Sequence, residues 1–319
     1  MLKAYSVFND LNEEACTIIK SAGVQLDIAD SNIRPNKEEL IELFRQYDIL
    51  IIGVKEKITK EMIEQLSSKK IIATLSIGLD HIDEELFKND LIKVINCPNS
   101  NVISVAEHIF GLILALKKNI IEANDISING GNKTNLSRRS NDINKSTIGV
   151  IGAGKISREV IRIAKAFNMK ICCNTLHPKK HQDLIKQNIK FIDLNDLLSN
   201  SDIITINIPL NRKTKNLISR EKISLMKKNA TFINTSRDEI VDIEELIKYA
   251  DRNTTFNVGL DIDIDKYKSI FNKKRSNVII TPHIAGVSEE AINRMDIELA
   301  NNIKDYLCNK ENLGVDPNK

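Results

Sequence analysis

Residues 146–157 read STIGVIGAGKIS. An apolar strand, Ile148–Ile151, runs into Gly152-Ala153-Gly154, and a helical pattern from Lys155 to Phe167 follows at once. Two glycines there permit a tight turn and let backbone N–H groups approach a pyrophosphate at a helix N-terminus. Ser157 stands where GxGxxG carries its third glycine, and serine is small enough to keep helix and sheet close. A bare GxG is weak evidence. The strand before it and the helix after it make this a dinucleotide turn rather than a merely structural one.

The next strand, KICCN, ends at Asn174. A ribose-binding Asp or Glu is expected about twenty residues beyond the glycines. Thr175 occupies that region instead, followed by Leu176, His177, Pro178, Lys179, Lys180 and His181. A missing carboxylate removes repulsion toward a 2′-phosphate, and nearby cations can bind one, which favours NADP over NAD. The loop itself offers Lys and no Arg; the competing reading is a solvated basic loop with NAD held by backbone contacts.

Outward from this unit the strand–helix alternation continues in both directions. Ile203–Ile208, Ala230–Asn234, Thr255–Asp261 and Val278–Ile280 read as further strands, and residues 124–145 read as a loop and connector. Toward the N-terminus the order is strand Leu2–Phe8, helix Leu11–Ala22, strand Val24–Ala29 and helix Lys37–Gln46. The run DILIIGV, a helix near residues 59–67, the run KIIATL, a helix at Asp83–Asn89 and a strand at Leu91–Ile95 follow. This order predicts parallel sheets with helices on both faces. At 319 residues the chain exceeds one core, so two domains sharing a cleft are expected. Asn101–Lys118 has apolar residues around the whole helix, which predicts burial at a domain junction and subunit interface, or as a central core helix.

Composition narrows the function. Lys plus Arg is 46 against 43 Asp plus Glu, a balance that argues against nucleic acid as the main partner. No run reaches the roughly 18 apolar residues of a membrane span, and the N-terminus lacks a secretory pattern, so the expected location is cytoplasmic. The five cysteines form no CxxC pair and read as small hydrophobes of a reducing compartment. His177 and His181 have ligand spacing, but Pro178 and two lysines lie between them, so no protein-bound metal is expected.

Two segments carry chemistry at strand ends. INTSRDEIVD (233–242) places Arg237 just past a strand, and ITPHIAG (280–286) places His283 just past another. A guanidinium grips a carboxylate bidentately, and an imidazole near neutrality moves a proton. Each alone suits a surface ion pair or a rim histidine. Behind a dinucleotide turn, together, they suit hydride transfer to and from a carboxylate-bearing carbonyl compound.

These segments, with SIGLDHID (76–83), NSNVISVAEH (99–108), GAGKIS (152–157), NTSR and IVD (234–242) and GLD (259–261), resemble the D-isomer-specific 2-hydroxyacid dehydrogenases. The resemblance runs through nearly the whole chain. It implies two Rossmann-like or flavodoxin-like doubly wound α/β domains: a discontinuous substrate-binding domain, 1–97 plus 285–319, and a dinucleotide domain, 98–284. It implies a homodimer that exchanges hydride between NAD(P)H and C2 of a small 2-oxoacid or D-2-hydroxyacid. By the same resemblance Arg237 binds substrate, His283 transfers the proton, Ser76, Ile77 and Gly78 hold the carboxylate through N–H groups, and Asn101 faces that pocket. Gly152, Gly154, Lys155, Ile156, Thr175, Pro209, Thr235 and Asp261 are the implied cofactor residues, Asp261 at the nicotinamide carboxamide.

Two positions depart from the family pattern. Asp238 follows Arg237 where the family usually carries Gly. The Glu expected to hydrogen-bond the histidine is absent: strict counting puts Lys266 there, a one-residue shortening lets Asp265 serve, and Asp263 is a poorer candidate. These departures leave open a catalytically weak NAD(P)-binding regulatory or scaffold protein. NSNVISVAEH also resembles the formate-type branch, although that branch carries a longer N-terminus.

Overall fold

The computed structural model describes residues 1–308 except 32, 64, 65 and 67. The chain forms two compact units, Met1–Asn101 with the chain from Ser288 onward, and Val102–Val287.

The first unit is built from β1 (Leu2–Ser6), α1 (Glu13–Ser21), β2 (Val24–Ile28), α2 (Lys37–Gln46), β3 (Ile49–Ile52), α3 (Lys60–Ile63), β4 (Lys70–Thr74) and β5 (Ile92–Ile95). Its sheet is parallel throughout, in the order β2-β1-β3-β4-β5. β3 and β4 are buried along their whole length, as expected of strands covered on both faces. Asn36 and Glu39 form a reciprocal capping box that starts α2. The C-terminal helix, Glu289–Leu307, returns to this unit and buries Leu299, Ala300 and Ile303 against Ala15 and Ile19 of α1.

The helix expected near residues 59–67 is the short α3, and residues 64, 65 and 67 lie outside the described residues. Residues Glu84–Lys88, expected as a helix, form a tighter 3-10 turn.

The second unit contains α4 (Val102–Lys117), α5 (Ile120–Ile128), β6 (Thr147–Ile151), α6 (Lys155–Ala166), β7 (Lys170–Asn174), α7 (Gln182–Lys186), β8 (Lys190–Phe191) and α8 (Leu194–Asn200). It continues with β9 (Ile203–Ile206), α9 (Arg220–Leu225), β10 (Thr231–Asn234), α10 (Ile243–Arg252), β11 (Asn257–Asp261) and β12 (Val278–Thr281). The seven strands run parallel in the order β12-β11-β10-β9-β6-β7-β8. Chain order therefore reverses between β6 and β9, the place where such sheets bind ligands. Cys172 and Cys173 point to opposite faces of this sheet and join the two separate cores.

α4 lies against β10 and β11, where Gly259 makes room: a Cβ there would sit 2.7 Å from Ile233 Cδ1. The helix is not buried all round, because Ile103, Glu107 and Gly111 form one exposed stripe. Residues 124–128, expected as part of a loop, complete α5. Their Asn, Asp and Ser residues have low helix propensity, while Ile121 and Ile128 remain exposed, so the helix has no clear apolar stripe. Among the described cysteines, Cys97, Cys172 and Cys173 are buried and all five are unbridged, but Cys308 is exposed and Cys16 half-buried. No helix among the described residues is long and apolar enough to cross a membrane.

Candidate active site

The glycine turn sits at the reversal point. Gly152 adopts φ +105°, and a Cβ there would come within 2.5 Å of the Asn207 carbonyl oxygen, so both conformation and space require glycine. Gly154 is the N-cap of α6 with no side-chain cap bond, and a Cβ on it would meet nothing within 4 Å. Open space thus lies before a helix terminus whose first N–H groups have no intrahelical acceptor. Lys155 is exposed and Ile156 half-buried in that first turn.

Three buried polar atoms around this edge lack partners: Ser157 Oγ, Asn207 Nδ2 and Thr235 Oγ1. An unpaired buried polar group costs about 1–3 kcal/mol, so such atoms mark where a ligand completes the bonding. Bare glycine backbone after β6, a helix N-terminus and unpaired polar atoms just past β9 (Asn207) and β10 (Thr235) fit a nicotinamide dinucleotide. Thr175 is half-buried directly after β7. Pro209 is exposed, and its carbonyl accepts from the Thr214 hydroxyl at 2.7 Å.

One residue near this region escaped sequence reasoning. Arg158 of α6 reaches the loop after β7, donating to both Asp183 oxygens at 2.9 and 3.0 Å and lying 3.3 Å from His181 Nδ1. Its guanidinium also donates to the Ala153 carbonyl. Burial and the Arg158 charge push the His181 imidazole below its usual range. The region is therefore not served by lysine alone, and it does hold a carboxylate, Asp183, on α7 rather than at the strand end.

Arg237 follows β10 in a loop tied down by neighbours. Asn234 Nδ2 donates to the Arg237 carbonyl at 2.9 Å, its Oδ1 accepts the Ser236 N–H at 3.0 Å, and Ser236 Oγ donates to the Ile206 carbonyl at 2.9 Å. Arg237 then caps the 3-10 turn Asp238–Ile240. Asp238 is buried, accepting from the Tyr267 hydroxyl at 2.8 Å and Lys266 Nζ at 3.2 Å, while Lys266 also donates to Glu239 at 2.9 Å. Asp265, expected to serve His283, instead holds Lys268 Nζ at 2.8 Å on a side chain 72% exposed. Asp263 is spent as the cap of this turn, accepting the Asp265 N–H at 3.0 Å.

His283 follows β12 with its imidazole exposed and its backbone at φ +55°, a region rare for non-glycine residues. Its N–H donates to the Thr281 carbonyl at 3.0 Å. Asp261, 1% exposed at the end of β11, fixes this loop: Oδ1 accepts the Ile284 N–H at 2.8 Å and the Thr281 hydroxyl at 2.5 Å, and Oδ2 accepts the Ala285 N–H at 2.8 Å. His108 of α4, which sequence reasoning gave no role, places Nε2 3.0 Å from Thr281 Oγ1. Asp261 thus shapes the protein's own loop, a task the resemblance did not imply.

In the first unit, the loop after β4 is held by its carbonyls. Ser76 O accepts from Cys97 N at 3.2 Å, Ile77 O from Asn96 Nδ2 at 3.0 Å and Gly78 O from Ser76 Oγ at 2.7 Å. Thr74 Oγ1 lies 3.0 Å from both Ser76 Oγ and His81 Nε2 beneath the loop. Asn101 Oδ1 is buried without a partner. No group of three or more His, Cys, Asp or Glu side chains among the described residues is placed to hold a metal ion.

Comparison with known proteins identifies the family. The family model described as D-isomer specific 2-hydroxyacid dehydrogenase, NAD binding domain, matches residues 110–285. A hydroxypyruvate reductase of Thermotoga maritima is 32% identical over 93% of this chain and 96% of its own length. An acyclic imino acid reductase in complex with NADPH and D-Arg superposes with a TM-score of 0.89 at 31% identity, over 98% of this chain and 100% of that one. A D-lactate dehydrogenase from Aquifex aeolicus, complexed with NAD and lactic acid, gives 0.80 at 28% identity, over 96% and 95%. The chain belongs to the D-isomer-specific 2-hydroxyacid dehydrogenases, nicotinamide-dependent oxidoreductases acting at C2 of a 2-hydroxyacid.

Proposed function

We propose that this enzyme reduces a small 2-oxoacid, of the glyoxylate, hydroxypyruvate or pyruvate kind, to its D-2-hydroxyacid. One observation carries the reading: neighbouring strand ends of one sheet present His283, Asp261, Arg237, Asn207 and Gly152 in spatial order. The bound nicotinamide supplies the hydride that C2 receives. Arg237 grips the substrate carboxylate and draws negative charge toward the 2-oxygen, and His283 donates the proton that this oxygen needs. The Ser76 N–H, expected to hold the carboxylate, donates instead to the Thr74 carbonyl at 2.9 Å. Ile77 and Gly78, with carbonyls engaged inside the protein, therefore offer their N–H side to the carboxylate, and Asn101 supplies a further polar group.

For the cofactor we favour NADPH. Thr175 stands where a ribose-binding carboxylate would repel a 2′-phosphate, and Arg158, Lys179 and Lys180 bring positive charge to that loop. Asp183 already engages Arg158, which keeps the preference slight. We further propose a cytoplasmic location and, since Ile103, Ile120, Ile121 and Ile128 leave apolar surface exposed on α4 and α5, a homodimer. The test is a screen of glyoxylate, hydroxypyruvate, pyruvate and branched 2-oxoacids with NADPH and with NADH. Dinucleotide binding without turnover of any of them, or NADH formation from formate, would replace the reading.

A second substrate class has a specific observation behind it: the imino acid reductase likeness, combined with Lys266 at the position of the expected glutamate. That position brings no negative charge to stabilise an imidazolium. A protonated imine, unlike a ketone, needs no proton from the enzyme as hydride arrives. Addition of ammonium or methylamine to the 2-oxoacid assay, with chromatography for D-amino acid products, tests it; hydroxyacid alone as product excludes it.

A further inference from the structure

The two positions that depart from the family pattern touch each other. Asp238 opens the 3-10 turn capped by Arg237, and Lys266 and Tyr267 lie on the 3-10 turn Ile264–Tyr267 that follows β11. The Asp238 residue is 6% exposed, a place where an uncompensated carboxylate is costly. Tyr267 compensates it at 2.8 Å and Lys266 at 3.2 Å, and Lys266 is anchored in turn on Glu239 at 2.9 Å. Burial favours the neutral acid, yet the bonds donated by Tyr267 and Lys266, with the Lys266 charge, prevail and hold the carboxyl below its usual range. Tyr267 packs edge-on to Phe271 at 6.3 Å and borders the core below the sheet. On the other side, Asn234 holds the Arg237 carbonyl. The backbone of Arg237 is thus pinned from both directions.

We propose that Asp238, Lys266 and Tyr267 form a latch between the loops after β10 and β11 that sets how Arg237 meets the substrate carboxylate. The inference rests on the role given to Arg237 and makes all three positioning residues, since their side chains hydrogen-bond to one another and to Glu239. Lys266 has a second effect. By engaging Asp238 it stops that carboxylate from competing with the substrate for the adjacent guanidinium.

A kinetic cycle on the full-length enzyme tests the latch, using the best 2-oxoacid of the screen and its reduced dinucleotide. Lys266→Met, at a half-exposed position, should raise the KM for the 2-oxoacid about tenfold with kcat within about threefold and dinucleotide KM unchanged. Asp238→Asn added to it should bring KM back to within about threefold of wild type. Lys266→Glu should cost about a hundredfold in kcat/KM, and Asp238→Gly in that background should recover most of it. An unchanged KM in Lys266→Met, or single effects that simply multiply in the double variant, would overturn the latch. Should the Asp238 variants not fold, Tyr267→Phe decides: a KM raised about threefold supports the latch and an unchanged one overturns it. Arg237→Ala run in parallel separates the two claims, because wild-type kinetics there would sink the role of Arg237 itself.

Discussion

The buried carboxylate of Asp261 accepts the backbone N–H of Ile284 at 2.8 Å, one residue past His283, and the Ala285 N–H with its other oxygen. The exposed imidazole is therefore presented by a loop whose conformation is set from the interior of the sheet. Asp261→Asn replaces an acceptor-only group with one that turns an N–H toward a backbone N–H. Losing one charge-assisted bond costs on the order of 2 kcal/mol. We expect a lower Tm and a kcat reduced at least tenfold, measured on the same preparation; full activity would mean that the loop keeps its shape without the carboxylate.

Arg237 and His283 should separate kinetically. Arg237→Ala is expected to raise KM for the 2-oxoacid and lower turnover by about 10²–10⁴, whereas His283→Ala should act chiefly on kcat, by a similar factor. Steady-state kinetics on a confirmed substrate decides. Wild-type behaviour of both variants would remove the assignment.

Asp265 offers a sharper discrimination. Its carboxylate faces solvent and binds Lys268, so its field at any imidazole is screened. Asp265→Asn should leave the pH profile of kcat/KM in place to within about 0.3 unit. A larger downward displacement would show that Asp265 does reach His283 during turnover.

Asp296 makes a pH prediction for stability. On the C-terminal helix its residue is 4% exposed, and burial, against the bond from the Asn12 N–H, raises its pKa to about 6. An acid whose folded pKa lies above its unfolded value of about 3.9 favours the fold at low pH, and that contribution is lost as pH rises through 6. Asp296→Asn should therefore raise stability at pH 7.5 by on the order of 2 kcal/mol and leave it nearly unchanged near pH 4. Thermal melts at both pH values check the sign.

The sheets were legible because their strands are apolar runs between helical patterns: Thr147–Ile151 and Lys170–Asn174 lie where the periodicity puts them. β8, two residues long, carries no such signal, and it exists only because β7 offers an edge for Lys190 and Phe191. The chemistry at Gly152, Arg237 and His283 could be found from motifs, since each closes or follows a strand. What supports those residues could not. Asp261 with Ala285, Asp238 with Lys266 and Arg158 with Asp183 are pairings between separate loops or helices, and composition and spacing are silent about them.

The return of the Glu289–Leu307 helix to α1 has a consequence for biosynthesis. At about 5–20 residues per second, the ribosome needs on the order of 10–40 seconds to deliver the intervening Val102–Val287. Throughout that interval α1 keeps Ala15 and Ile19 without the helix that covers them, whereas the later-made unit needs no further residue once Val287 is delivered. The nascent polypeptide is thus obliged to finish its middle before its beginning, and any aid from chaperones would be needed most at that waiting apolar face.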